Sequence, residues 1–230
     1  MKTIACIPVR YKSNRLPGKH FLPVGGQPIL GYLLDRLFAF KDENNDELFD
    51  AVVLCIGKDG YEEAYIDMAK SASIDWVVGP VDQPIERYAK AIKKFKAKTM
   101  VRITGDDCFP DFKKGAELIL DNNKMGSDFT CFINYIPGMD LEAYSADAIL
   151  NLAKKADAID SERLKDLFSK NSGFKTYFHN AGMTNNTINL SLDSYEDYQE
   201  ILKRLSVFDD SSAYYHFNME DIASKSSSSF

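Results

Sequence analysis

The chain has little of what several protein classes require. Its 230 residues include four cysteines (Cys6, Cys55, Cys108, Cys131), spread too widely for a CxxC pair and lacking a His-x₃₋₅-His partner. That argues against a zinc ribbon or a disulfide-built scaffold and predicts buried, reduced thiols. The three histidines, His20, His179 and His216, form no cluster. No apolar run approaches the roughly 18 residues of a membrane span. The apolar start, Met1 to Pro8, is too short for a secretory signal, so a cytoplasmic location is expected. There is no internal repeat. With 28 Lys and Arg against 34 Asp and Glu, the net charge of −6 would repel a long polyanion, which argues against nucleic-acid binding as the main task.

What is present is ordinary for a globular enzyme-sized chain: 45 % hydrophobic residues and enough length for one substantial core. The charge is unevenly distributed. From Met1 to Leu34 there are five cations (Lys2, Arg10, Lys12, Arg15, Lys19) and no carboxylate. A basic island in an acidic chain points to a compact anionic ligand, phosphate being the obvious candidate.

Short apolar runs at residues 3–9, 51–56, 74–78 and 100–104 predict buried strands. Helical patterns at 28–38, 61–72 and 84–95 alternate with them, the last with apolar residues at 3–4 spacing. This alternation predicts an α/β fold with a mostly parallel sheet covered on both faces. Ligands of such sheets bind beyond the carboxyl ends of the strands, where the basic loop and Gly105-Asp106 both fall. After about residue 128 the pattern loosens: strands are expected at 128–133, 141–144 and 187–192, and helices at 146–156, 161–170 and 194–205. The serine-rich stretch 224–230 reads as a frayed tail. A single domain over 1–205 is expected, in a first half 1–127 and a second half 128–205, with 206–230 as an extension.

The loop Ile7-Pro8-Val9-Arg10-Tyr11-Lys12-Ser13-Asn14-Arg15-Leu16-Pro17-Gly18-Lys19 follows the first strand with four cations in ten residues. Arg, Lys and exposed amides in such a loop can wrap the oxygens of a di- or triphosphate. It is neither a G-x₄-G-K-S/T loop nor a GxGxxG loop. Together with Gly25-Gly26-Gln27-Pro28-Ile29-Leu30, it resembles the opening of the acidic-sugar cytidylyltransferases: the Kdo and acylneuraminate enzymes and the spore-coat-polysaccharide type. Val101-Arg102-Ile103-Thr104-Gly105-Asp106, the segment 136–142 and the segment 190–197 are similar to later landmarks of the spore-coat type, so the resemblance spans about residues 3 to 205.

That resemblance implies a Rossmann-like, three-layer nucleotidyltransferase fold and Mg²⁺-dependent transfer of CMP from CTP to an acidic sugar or related anionic acceptor, with release of pyrophosphate. It also implies a homodimer assembled through the second half. Nucleotide contacts are implied at Pro8, Val9, Arg10, Ser13, Arg15, Lys19, Gln83, Arg87 and Asp106, with Arg15, Lys19 and Asp106 the catalytic group. Asp106 and Asp193 are the implied metal ligands, and Asp140 and Glu142 lie near the acceptor. Simpler readings stand beside these. Asp106 could only flank a turn, and Asp193 could only cap the helix opened by Ser194. Gln83 and Arg87 open a helix after Asp82, and Asp140 and Glu142 could be solvated turn residues. Asp107-Cys108 stands where these relatives usually have a small residue and proline, and His20 where they often have an apolar residue or proline. Another nucleotide or acceptor, or a nucleotide-binding protein without turnover, is the alternative.

Overall fold

The computed structural model describes residues 2–44, 48–156, 163–182 and 188–205. Nine strands are found there: β1 (Thr3–Val9), β2 (Pro23–Val24), β3 (Gln27–Pro28), β4 (Ala51–Gly57), β5 (Asp75–Gly79), β6 (Thr99–Arg102), β7 (Phe129–Ile133), β8 (Glu142–Ser145) and β9 (Thr176–Asn180). The helices are α1 (Ile29–Asn44), α2 (Glu62–Ser71), α3 (Pro84–Phe95), α4 (Phe112–Met125), α5 (Ala146–Ala153), α6 (Leu164–Lys170) and α7 (Tyr195–Leu205), with one 3₁₀ turn at Lys19–Phe21.

Seven strands form one sheet in the order β5-β4-β1-β6-β8-β7-β9, and β2 and β3 make a separate hairpin. Only β8 runs against its neighbours, pairing antiparallel with β6 and β7. The other pairings are parallel. The sheet needs cover on both sides because its central strands are apolar on both faces. Along β1, Ala5, Ile7 and Val9 pack with Leu33 of α1, Tyr65 of α2 and Leu118 of α4. The intervening Ile4 and Cys6 pack with Tyr88 of α3, Ile149 of α5 and Phe168 of α6. The result is a three-layer α/β fold, with helices packed on both faces of the sheet. A third cluster joins α7 and the β2–β3 hairpin to Cys108, Phe109, Ile136, Leu190 and Leu192, and lies under the site described below. All four cysteines are buried and none is in a disulfide.

The expected strands and helices of the first half recur within a few residues, although β6 stops at Arg102 rather than at residue 104. Elements not anticipated include the β2–β3 hairpin, α4, which Asp111 caps by accepting from the Lys114 amide at 2.9 Å, and β9. The expected strand at 187–192 is corrected: residues 188–193 pair with no strand. Thr187, Ser161 and the tail 224–230 lie outside the described residues. Among those described, no helix is long and apolar enough to cross a membrane.

Candidate active site

β1 delivers the basic loop to the carboxyl edge of the sheet, and the loop is then folded back on itself. The Tyr11 carbonyl accepts from Ser13 N at 2.9 Å and Gly18 N at 2.8 Å. Asp59, after β4, accepts from the Tyr11 and Lys12 amides at 2.7 and 2.9 Å, and the Tyr11 ring stacks on Tyr61 with centroids 3.8 Å apart. Gly18 is required: its φ is +69°, and a Cβ there would sit 3.0 Å from the Tyr11 ring. The 3₁₀ turn that follows buries His20, whose Nδ1 lies 2.9 Å from Tyr65 Oη and whose ring also hydrogen-bonds to the Arg10 backbone. Burial lowers the His20 pKa to about 4, so the ring is a neutral bracket beneath the loop.

Asp106 reaches the same edge from β6. Its turn can close on the end of β1 only because residue 105 is glycine: a Cβ there would lie 2.8 Å from Val9 Cγ1 and 3.0 Å from the Pro8 carbonyl. Asp106 is buried and ion-pairs with Lys19. The same Lys19 Nζ donates to the Leu192 carbonyl at 2.8 Å and stands 3.6 Å from Asp193 Oδ1. Asp193 also accepts from Arg15 Nη2 at 2.6 Å, in an exposed pair. An exposed pair of this kind contributes at most about 1 kcal/mol, so the Arg15 contact does not hold Asp193 in place.

The backbone does. Leu190 N donates to the Pro137 carbonyl at 2.9 Å, and Gly138 (φ +88°) presses so closely that a Cβ would lie 2.3 Å from the Leu190 carbonyl carbon. Leu190 and Leu192 are buried on either side of Ser191. The helix-cap reading of Asp193 is also resolved. Asp197 accepts from the amides of Asp193 and Ser194 at 3.0 and 2.8 Å, and Ser194 Oγ accepts from the Asp197 amide at 3.2 Å. Asp197 closes the capping box, which leaves the Asp193 carboxylate to the two cations.

Two cavities meet here. One of 360 Å³ is lined by Pro8, Val9, Arg10, Ser13, Arg15 and Lys19 of the basic loop, and by Arg87 from α3. A second, of 170 Å³, is lined by Asp107, Asp140, Glu142 and Ser191. Arg102, Thr104, Asp106 and Asp193 line both. Arg102 pairs with the buried Glu142 at 2.9 Å, and Tyr144 Oη donates to the same carboxylate oxygen at 2.7 Å. Burial alone would push Glu142 up, but the Arg102 guanidinium holds it below the usual carboxylate range. Lys165 pairs with Asp140 at 3.0 Å. Asp107 is buried, and that burial, with the nearby Asp106 and Asp140 charges, pushes its carboxyl well up.

The residues picked from the sequence therefore converge, with two corrections. Gln83 is not on either cavity wall: it is the N-cap residue of α3, with its carbonyl accepting from Glu86 N at 3.1 Å. Arg87 lines the larger cavity, but its guanidinium is turned to backbone carbonyls, donating to Val9 at 3.1 Å, Cys55 at 2.6 Å and Val81 at 3.3 Å. These bonds tie the ends of β1 and β4 to the loop after β5, so Arg87 positions the cleft rather than reaching for a base or ribose. Gly79 makes the room, since a Cβ there would lie 2.8 Å from Arg87 Cγ. The sequence reading missed Arg102 and Thr104 as wall residues. The signal was a lone charge inside the apolar run Met100-Val101-Arg102-Ile103.

The donor set at the shared wall suits a hard divalent cation: two carboxylates from different elements meet at one ammonium, the arrangement in which Mg²⁺ is held by one or two protein carboxylates plus phosphate oxygens. Among the described residues, no three acidic, histidine or cysteine side chains form a ready-made metal cage. The site therefore fits a cation that arrives with its phosphates.

A family model described as cytidylyltransferase matches residues 4–224. An uncharacterized protein of Methanocaldococcus jannaschii is 27 % identical over 216 residues, covering 91 % of this chain and 85 % of that one. The spore coat polysaccharide biosynthesis protein SpsF of Bacillus subtilis is 28 % identical over 154 residues, covering 64 % of this chain and 61 % of that one. A solved cytidylyltransferase from Leptospira borgpetersenii superposes with a TM-score of 0.80 at 27 % identity, covering 98 % of this chain and 93 % of that one.

Proposed function

The chain belongs to the cytidylyltransferase family and is a nucleotidyltransferase, and from that premise we propose that it transfers CMP from CTP to a sugar hydroxyl with release of pyrophosphate, in a Mg²⁺-dependent reaction. The observation that carries this reading is the shared wall. A cationic loop, two aspartates and two adjoining cavities meet where an α-phosphate would have to lie between nucleotide and acceptor.

The acceptor oxygen forms a bond to the α-phosphorus, the α–β bridging P–O bond breaks, pyrophosphate leaves, and the hydroxyl proton passes to water. Negative charge grows on the pyrophosphate as it leaves, and Arg10, Arg15 and Lys19 face that charge. Asp106 and Asp193 would hold Mg²⁺, which supplies charge neutralisation across the phosphates. Lys19 then exchanges a carboxylate partner for a phosphate. His20 and Arg87 touch no reacting group in this scheme; they fix the loop and the strand ends.

A sugar acceptor is supported by the polysaccharide biosynthesis role that the Bacillus relative's name carries. We further propose a cytoplasmic homodimer. Nucleoside triphosphates and reduced thiols share that compartment, and Ile133 on β7 and Phe178 on the edge strand β9 stay 41 % and 42 % exposed on adjacent strands. Sedimentation of Phe178→Asp as monomer, with wild type as dimer, is the expected result.

The deciding assay is pyrophosphate release from each of the four NTPs with Mg²⁺ and a sugar panel, repeated with EDTA. CTP-selective, EDTA-sensitive release is expected. A chain that neither binds nor turns over CTP, or that uses all four nucleotides equally, overturns the proposal.

A further inference from the structure

The basic loop carries a conflict of its own. Arg10, Lys12, Arg15 and Lys19 put four like charges on ten residues, and with no polyanion bound their repulsion favours a spread loop. Its inner limb has counter-charges: Arg15 pairs with Asp193, and Lys19 with Asp106. Its outer limb, Arg10 to Ser13, is fastened to the turn that follows β4.

Tyr11 is the hub of that attachment. Its amide donates to Asp59 Oδ2 at 2.7 Å, and the Lys12 amide donates to the same oxygen at 2.9 Å. Its carbonyl closes the loop by accepting from Ser13 N and Gly18 N. Its ring lies flat on Tyr61, with 14° between the planes, and its edge faces Gly18. Asp59 Oδ1 also accepts from the Tyr61 amide at 3.3 Å, which joins the two parts of the clamp. The clamp stands on β4, which is paired on both sides by β1 and β5, so its base is rigid.

Asp59 does not line the larger cavity, whereas Arg10, Ser13, Arg15 and Lys19 do. It lies on a separate cavity that it shares with Arg10 and Lys12. Its two charge-assisted bonds therefore act on a nucleotide in the larger cavity only through the loop.

We propose that Asp59 and Tyr61 are positioning residues for the phosphate loop, holding it in its binding shape before the nucleotide arrives. The identity of that nucleotide rests on the cytidylyl-transfer reading. Once a triphosphate is bound, its oxygens hold the cations together and the clamp is no longer needed. The effect of the clamp thus falls on binding and not on the chemical step. If only about a tenth of the free molecules kept the loop closed, the apparent dissociation constant would rise about tenfold.

Asp59→Ala, Asp59→Asn and Tyr61→Ala in the full chain test this. Calorimetry with Mg²⁺ and α,β-methylene-CTP, which cannot turn over, measures binding, and pyrophosphate release gives kcat and KM. Asp59→Ala should weaken nucleotide binding and raise KM for CTP about tenfold, with kcat within about threefold of wild type. Asp59→Asn keeps an oxygen that can accept from both amides, and should restore most of the affinity. Tyr61→Ala should weaken binding about threefold, the size expected for one aromatic pair. Amide exchange of the ligand-free protein, followed by NMR, reads the loop directly. Ser13 and Gly18, whose amides do not touch Asp59, should exchange about tenfold faster in Asp59→Ala and regain protection when the nucleotide is added.

A merely structural Asp59 would lower Tm and leave KM and these two exchange rates unchanged well below the melting range, which overturns the proposal. So does a loss confined to kcat, or an Asp59→Asn variant as weak as Asp59→Ala. An Asp59→Asn variant that binds more tightly than wild type would make the carboxylate a repulsive charge, and overturns it too. Should wild type fail to bind the nucleotide, the cytidylyl-transfer reading falls by that result alone, while the exchange rates at Ser13 and Gly18 still decide whether Asp59 holds the loop. If Asp59→Ala does not fold by circular dichroism, Asp59→Ser and Tyr61→Ala carry the same test.

Discussion

Lys19 is the side chain on which most of the site's electrostatics converges: it contacts both Asp106 and Asp193, two carboxylates of like charge. Lys19→Met should lower kcat about 10²–10³-fold, the usual effect of losing one group that stabilises transition-state charge. The same variant should gain more thermal stability from added Mg²⁺ than wild type does, because it leaves Asp106 and Asp193 facing each other. Pyrophosphate release and a melting curve with and without Mg²⁺ check the two halves. His20 gives a pH signature. Its folded pKa of about 4 lies below the usual 6.5, so protonation favours the unfolded chain and stability falls as the pH drops from 6.5 towards 4. The full span is worth about 3 kcal/mol. His20→Phe should flatten the urea-midpoint profile over that window relative to wild type, and parallel profiles would show that the ring is not held neutral. Arg15, Lys19 and Asp106 were legible because short motifs place them immediately after a strand. Arg87 could not be settled from sequence, because nothing in a sequence tells a guanidinium aimed at a ligand from one donating to carbonyls of β1, β4 and the loop after β5.

Elements set the distance between the two aspartates, and the contact of Gly138 with Leu190 is the sharpest case. Gly138→Ala combines a positive φ with a Cβ driven into backbone, so the segment carrying Asp193 must move. It should cost about 2 kcal/mol or more and lower kcat/KM for CTP more than tenfold. Gly182→Ala is the control, with a similar positive φ of +73° but nothing within 4 Å of its Cβ. It should cost about 1 kcal/mol and leave activity unchanged. Denaturation midpoints and steady-state kinetics of the pair separate strain from misplacement. Most strands of the first half could be read from apolar runs. The segment 188–193 could not, because its alternating buried leucines mimic a strand while its partner is a turn rather than a ladder. α4 went unread because its polar residues and Gly115 dilute the helical pattern, although Asp111 marked its start.

At the scale of the molecule, ligand binding and stability are linked. With Mg²⁺ and CTP together at about 100 times the dissociation constant, stability should rise by about 2.7 kcal/mol. That corresponds to roughly 5–10 °C in Tm for a chain of this size. CTP or Mg²⁺ alone should give less than half of that, and additive shifts from each alone would argue against a joint site. The two halves expected from the sequence share one continuous sheet, since β6 of the first pairs with β8 of the second. Their cavities also share Asp106 and Asp193. That sharing has a consequence during synthesis. A nascent chain that has emerged as far as residue 127 carries the phosphate loop and Asp106 but neither Asp193 nor the Pro137-Gly138 turn that seats it. On the proposed reaction, the half-made protein would bind nucleotide without turning it over, and activity would appear only once the stretch around residue 193 has left the ribosome and docked.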